Sequence, residues 1–515
     1  MFERINNIIE QAESLLERVN PSWALSRARA RQMLGAYEAA KPRRNRVMRG
    51  EARGPDLVAN ESVESLRSQA RFLDENYDIV TGALDTLVAR TVGPRGIMVE
   101  PMVMNKNGDL NDDINRQIND LFCDWWENPE VKGEYSGSLV EQLAVRTWLR
   151  DGEMFTQMIE GDKPGLSRTA GIPFHIEIME PDLVPVNYEN SSIRLFQGIE
   201  KNAWGRPIKY WVYRGHPNDY SYRLPAIEDL KPIKGDNLIH LKMVKRIGQT
   251  RGISLLHAVI TRLEDLKDYE ESERIAARIS AAAAFYIKKG NPDSFIPEDT
   301  DTADEERSFK IKPGMVFDRL REGEEVGSIQ SNRPSTLLEP FRNAMVKAVA
   351  SGTRTGYSSI SKDYKGSYSS QRQELVEQWE HYATLQQQFA KIFKAPIYRR
   401  FLRMAILSGK IKVPVEVDEK TLYRAHYQGP AMPWIDPDKE SKANERNNKA
   451  GYNTRSAIIR SRNENPLEVE QQLARERKRE KELGLVLTSN AENEIQQPQP
   501  VEQQEQKAEE VQSDD

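Results

Sequence analysis

Apolar positions recur near every 3.6 residues through "SVESLRSQARFLDENYDIVTGALDTLVARTV", and this spacing predicts one helix over 62–92, ended by Gly93 and Pro94. The pattern then changes character. "INDLFCDWWE" and "SLVEQLAVRTWLRDG" keep the helical period, whereas "EMFTQMIEG", "PFHIEIMEP", "IKYWVYRG" and "NLIHLKMV" read as short strands separated by turns. Strands gathered in this way over 95–245 point to an α+β unit rather than to alternating βαβ units. From Gly252 the helical period returns, and "ISLLHAVITRLEDLKDYEESERIAARISAAAAFYI" predicts a single helix of about 35 residues, longer than is usual in a globular domain.

Two strand-like pieces follow, "FKIKPGMVFDRL" and "EEVGSIQ". A second helix is expected at "EPFRNAMVKAVASG", with Pro340 suited to its first position. A third long helix is expected over "QRQELVEQWEHYATLQQQFAKIF", where Leu375, Trp379, Tyr382, Phe389 and Phe393 form one stripe. Pro396 is expected to interrupt it before "IYRRFLRMAILSG" resumes. Near the end, "NPLEVEQQLARERKREKELG" carries full helix punctuation, with Asn465 as cap, Pro466 opening and Gly484 closing. Beyond about residue 487 the chain is Gln, Glu and Pro with almost no large apolar side chain, the composition of a disordered acidic tail.

Composition narrows the class. A chain of 515 residues predicts about three or four folding units. With 38% hydrophobic and 30% charged residues it has enough apolar content for cores and more charge than usual. The net charge of −5 gives no global basic field of the kind a nucleic-acid coat needs. A single cysteine, Cys123, excludes an intrachain disulfide framework and fits a reducing compartment. The first residues, "MFERINNIIEQAESLLERV", read as a charged amphipathic helix, not as a leader, and the most apolar run, Ile279–Ile287, is too short to span a bilayer; the expectation is a soluble protein with no membrane role beyond a peripheral one. Arg43, Arg44, Arg46, Arg49 and Arg53 make a basic arm, either a solvated segment or a contact for acidic protein or nucleic acid.

Catalytic signatures are mostly missing. "SGKIKVP" lacks the upstream glycine and the following Ser or Thr of a phosphate loop, and no G-x-S-x-G elbow exists. The six histidines are scattered, and none pairs at the one-turn spacing of a zinc helix. "DTDTADEE" begins like a calcium loop at Asp299, but Ala303, Asp304 and Lys310 stand where a ligand, the turn glycine and the bidentate glutamate belong. No metal and no cofactor are expected. Glu264, Asp265, Asp268, Glu270, Glu271 and Glu273 crowd one helix, as a face in water or as a negative surface lining something. Between the second and third helices lies "SISKDYKGSYSSQR", which could be a catalytic loop, a phosphate cradle or a contact loop.

The segment from Val244 to Tyr286, centred on Gly248, Gln249, Thr250, Arg251 and Gly252 followed by "LEDLKDYEESE", resembles the lambda-like portal family of tailed bacteriophages. "RFLDENYDIVTGALDTLVARTVGPRGI", "RDGEMF", "MEPDLV", "GIEKNAWGRPIKYWVY", "IHLKMV", "SKDYKGSYSSQR" and "GPAMPWIDPDKESKANERNNKAGYNTRSAIIRS" follow in the order that family keeps, so the resemblance covers about residues 30–485.

The resemblance implies an α+β portal fold with an α/β wing, long stem helices, a small α/β clip and a helical crown, assembled as a ring, usually of twelve subunits. It divides the chain into an N-terminal helix and basic arm (1–60), wing (61–250), descending stem helix (251–288), clip (289–333), returning stem helix (334–358), channel loop (359–369), long wing helix and strand region (370–435), crown-like region (436–486) and tail (487–515). Function follows as an expectation: a ring-shaped channel for double-stranded DNA at one capsid vertex of the virion, assembled in the host bacterial cytoplasm. Its expected partners are the terminase large subunit, a head–tail connector or adaptor, and the major capsid and scaffold proteins. Lys362, Asp363, Tyr364, Lys365, Gly366, Ser367, Tyr368 and Ser369 would face the DNA without reading sequence, and Glu264, Asp265, Asp268 and Glu271 would line the channel. No bond would be made or broken by this chain. The rival expectations are a metal-dependent nuclease, which would need acids drawn from several elements, and another head–tail ring component.

Overall fold

The computed structural model describes residues 54–219, 229–281, 285–289, 324–328, 338–433 and 436–485. The basic arm, most of the expected clip and the acidic tail lie outside the described residues. The chain divides into two units, 1–58 and 59–515, and all that follows concerns the second.

The first expected helix is two. α1 (Pro55–Asn76) and α2 (Asp78–Thr91) are separated at Tyr77, whose backbone is extended at φ −136° and ψ 111°. The apolar period continues across the break, because the Tyr77 ring is itself buried. α2 ends as expected at Gly93, whose φ of +63° suits glycine. After β1 (Met98–Pro101), α3 (Asp112–Trp126) and α4 (Gly137–Asp151) match the expected helices, capped by the Asn111 and Ser136 side chains.

The strands form two antiparallel sheets. β2 (Glu153–Glu160), β3 (Phe174–Met179) and β8 (Leu238–Lys242) make one, in the order β3-β2-β8, with β4 (Leu195–Phe196), β5 (Ile199–Lys201), β6 (Pro207–Tyr213) and β7 (Leu230–Lys234) making the other in sequence order. The three-stranded sheet is a middle layer. Met154, Met158, Phe174, Ile176, Ile239 and Leu241 point from it into the helical core, while Phe155, Met179 and Leu238 point into a second core with Tyr210, Val212 and Ile233 of the other sheet. Alternation of side chains along a strand assigns them to the two cores, and burial of both faces explains why these strands lack a polar face.

The expected 35-residue helix is shorter. A single 3₁₀ turn at Leu255–Ala258 precedes α5 (Ile260–Ala281), and Phe285–Lys289 is a strand, β9, paired with β10 (Glu324–Ser328). The alanine run had carried the helical pattern too far, because Phe285, Tyr286 and Ile287 favour a strand. α6 (Leu338–Thr353) begins two residues before Pro340, so that proline is third in the helix. A short helix, α7 (Tyr357–Ser361), leads to α8 (Tyr368–Phe389).

Pro396 does not interrupt the chain's helical course. A π-helical turn at Ala390–Lys394 joins α8 to α9 (Ala395–Leu407), where Pro396 sits in the first turn and its missing N–H costs nothing. The stripe read from the sequence is present, with Tyr382, Phe389 and Phe393 in the helical core and Trp379 packed against it. β11 (Ala425–Gln428) pairs with β1, and α10 (Pro437–Lys449), α11 (Arg455–Ser461) and α12 (Pro466–Leu483) follow. α12 has the caps expected of it: the Asn465 side chain accepts from the Leu467 N–H, Pro466 opens the helix, and Gly484 closes it at φ +66°. Among the described residues, no helix is long and apolar enough to cross a membrane.

Candidate functional site

The Gly248–Gly252 segment is a rigid turn joined to the middle sheet. The Gln249 side chain accepts from the N–H groups of Lys245 and Arg246 at 3.1 and 3.4 Å and donates to the Arg251 carbonyl at 2.7 Å. The Lys242 ammonium donates to the carbonyls of Gln249 and Thr250, each at 2.9 Å. Lys201, at the end of β5, donates to the Thr250 hydroxyl. Gly252 has no room for a side chain, since a Cβ there would lie 2.0 Å from the Gly152 carbonyl oxygen.

The centre of this arrangement is Glu153, the first residue of β2, which is fully buried. Its carboxylate accepts from Arg251 Nε at 2.8 Å, Arg67 of α1 at 3.2 Å, His240 Nε2 of β8 at 2.9 Å and the Gly252 N–H at 2.9 Å. Arg251, also fully buried, donates its remaining hydrogens to the carbonyls of Val184 and Gln197 at 3.0 Å and of Pro181 at 3.3 Å. Burial alone would push the Glu153 carboxyl up, but the Arg251 guanidinium and the His240 hydrogen bond outweigh it and hold the group below the usual carboxylate range. Burial takes His240 down to about 4 against the pull of Glu153, so the ring is neutral at pH 7 and donates through Nε2. One carboxylate thus joins α1, β2, β8 and the turn, and through Arg251 the loops that lead into the outer sheet. Such a joint fixes geometry and performs no chemistry.

A second buried pair lies on the other side of the helical core. Lys394, in the π turn, places Nζ 2.8 Å from Glu141 of α4, and both side chains are buried. Glu141 also accepts from the Ile97 N–H at 2.6 Å. Burial pushes Glu141 up and Lys394 down, each against the attraction of the other. Lys394 Nζ stands 3.5 Å over the Trp126 ring, which adds a cation–π contact. The sequence concealed both pairs, because each joins positions far apart in the chain; the visible trace of the first was a glutamate directly after the glycine that ends a helix, in "RDGEMF".

The residues expected to contact DNA occupy one exposed connection. Lys362 and Tyr364–Ser369 are exposed and Asp363 is half-buried. The loop proper is 362–367, since Tyr368 and Ser369 already belong to α8, which Ser367 caps by accepting from the Ser370 N–H. Local bonds hold it. Ser361 Oγ accepts from the Asp363 N–H at 3.2 Å, Asp363 Oδ1 accepts from the Lys365 N–H at 3.2 Å, and the Gln371 side chain donates to the carbonyls of Tyr364 and Gly366. The left-handed residue is Lys362, at φ +56°, and not Gly366. Lys365 Nζ lies 3.9 Å from Glu339 of α6, an exposed pair of small energetic weight.

Of the acids on α5, the four expected in the channel are exposed: Glu264, Asp265, Asp268 and Glu271. Helical spacing gathers Glu264, Asp268 and Glu271 on one face, with Asp265 turned about 100° away. Glu270 and Glu273 part from that set. Glu270 accepts from Arg342 of α6 at 2.7 Å and from the Tyr77 hydroxyl at 3.3 Å, and Glu273 is buried. The grouping with metal-ligand chemistry among the described residues is Glu180, Asp182 and His216, but the Arg71 guanidinium already bonds Asp182 at 2.6 Å and Glu180 at 3.3 Å, which satisfies the negative charge a cation would need.

Comparison with known proteins completes the description. Residues 41–386 match the model of the phage portal protein, lambda family. The chain is 26% identical over 439 residues, covering 83% of each chain, to a probable portal protein of Halomonas phage phiHAP-1. Among solved structures, it aligns with a chain of the virion of a native gene transfer agent particle at a TM-score of 0.42 and 13% identity, covering 79% of this chain and 97% of that one. It aligns with a chain from the neck of a native gene transfer agent particle computed with C12 symmetry at a TM-score of 0.40, with the same identity and coverage. The family match takes in more than half of the chain and includes the turn built around Arg251 and the loop before α8, and on that ground the chain belongs to the lambda family of phage portal proteins.

Proposed function

We propose that this chain assembles, as twelve copies, into the ring-shaped portal at one capsid vertex, through which double-stranded DNA enters during packaging and leaves at ejection. The family match over 41–386 is the observation that carries this reading. Within the ring, α5 and α6 are the stem helices, β9 and β10 belong to the clip, and residues 362–369 form the loop that meets the DNA. The geometry of the loop supports that role. Lys362, Lys365, Tyr364 and Tyr368 are exposed, and the bonds that shape the loop are local, so it can yield without disturbing the helices on either side. Cations and aromatic rings at a loop tip meet phosphates and sugars without reading base edges, as a conduit requires. The exposed face of Glu264, Asp268 and Glu271 supports a negative channel wall that keeps DNA from adhering. Translocation energy comes from a separate terminase large subunit docked on the ring, and a head–tail connector or adaptor later takes its place; the major capsid and scaffold proteins surround the wing. The chain makes and breaks no covalent bond.

The test deletes Lys365–Ser367 and measures packaging and retention of DNA in purified capsids. Rings of normal size and stability are expected, with packaging or retention lost. Normal rings that package and hold full-length DNA would overturn the loop's role.

A further inference from the structure

Two features of the lone chain remain without purpose, and they are complementary. The first is a projecting tip. The indole of Trp204, in the turn between β5 and β6, is 94% exposed, and Ile247, in the turn held by Gln249, is fully exposed. The bond from Lys201 to Thr250 holds these two turns side by side. Buried polar bonds therefore make rigid a segment that presents large apolar side chains to water, and Arg206 and Lys245 are exposed cations beside them. A rigid apolar tip rimmed by charge is the form of a contact surface.

The second feature is a cavity of about 680 Å³ between α3 and α12, with Phe122, Trp126 and Cys123 on one wall and Val469 and Leu473 on the other. Its floor is aromatic, and the Trp126 indole N–H within it has no partner. Its border is acidic, carrying Glu127, Glu464, Glu468 and Glu476. Asp120 and Asp124 extend that charge along the exposed face of α3.

We propose that the Trp204 tip of one copy of this chain enters the α3–α12 cavity of the next, with Arg206 and Lys245 meeting the acidic border. The occupant follows from symmetry and charge. A ring of identical subunits closes through a heterologous contact, in which two different patches of the same chain fit each other. The chain carries a cationic apolar knob and an anionic aromatic hole on separate parts of its surface. This inference rests on the ring reading given above and names the surfaces that would build it. A buried indole anchor surrounded by charge pairs has the make-up of an interface hot spot.

Hydroxyl-radical footprinting of the full-length chain tests the contact, comparing assembled rings with dissociated subunits sized by light scattering. Oxidation of Trp204 is expected to fall at least tenfold on assembly. Trp204→Ala, at an exposed position where the fold loses no contact, is expected to raise at least tenfold the subunit concentration at which rings form. Reversal of Lys245 to Glu is expected to do the same at low salt. Rings in which Trp204 oxidises as fast as in free subunits overturn the proposed contact and leave the ring reading standing. A wild-type chain that stays monomeric at every concentration overturns the ring reading, and this contact with it.

Discussion

Replacement of Arg251 by alanine should destabilise the subunit by about 4 kcal/mol. The guanidinium is fully buried, bonds the equally buried Glu153 and holds three carbonyl groups, those of Pro181, Val184 and Gln197. Breaking a buried pair by removing one partner costs about 3–5 kcal/mol. Glu153 keeps Arg67 at 3.2 Å, so the lower end, about 3 kcal/mol, applies. The orphaned carbonyls add about 1 kcal/mol, a small figure because water can enter the space left behind. Arg251→Lys keeps the charge but not the fork that reaches Glu153 and three carbonyls together, so it should recover less than half of the loss. The assay is urea unfolding of dissociated subunits, compared by midpoint at constant slope. A loss below about 1 kcal/mol, or full rescue by lysine, would refute the view that this joint holds the sheets together.

His240 supplies a pH test. Its folded-state pKa is depressed to about 4 from an ordinary 6.5, so between those values the unfolded chain binds a proton that the folded chain does not. Its contribution is full above pH 6.5 and declines as pH falls towards 4, by on the order of 3 kcal/mol, and His240→Gln should flatten that decline in urea unfolding run at a series of pH values. The buried pair of Lys394 and Glu141 supplies a double-mutant test: Lys394→Met should cost about 3–5 kcal/mol by stranding the carboxyl, while Lys394→Met with Glu141→Leu should return to within about 1 kcal/mol of the parent in the same assay.

Local punctuation was legible in the sequence wherever a single turn of chain decides the outcome. Asn465, Pro466 and Gly484 bound α12 as read, and the four strand patterns between 153 and 244 became β2, β3, β6 and β8. Errors arose where periodicity ran on past a change of backbone. Tyr77 stays buried through a break, the alanine run hides the end of α5, and the π turn at 390–394 accommodates a proline that should have broken a helix. Of the candidate site, the motif from Gly248 to Gly252 and the loop before α8 were visible as segments. The role of Arg251 was not, because it depends on Glu153, which lies 98 residues away and becomes its partner only once β2 and the turn come together.

The contact between Gly152 and Gly252 constrains how this gene can be recombined. Each glycine would drive a Cβ into the other's neighbourhood of main chain, at 2.0 Å from the Gly152 carbonyl oxygen in one direction and 2.3 Å from the Ile253 carbonyl carbon in the other. Main chain cannot be trimmed, so no compensating reduction elsewhere restores a side chain at either position. A crossover between residues 152 and 252 places the two halves of the contact under different parents. Chimeras made by such exchanges should survive only where both parents carry glycine at both positions, whatever the similarity of the sequence between them.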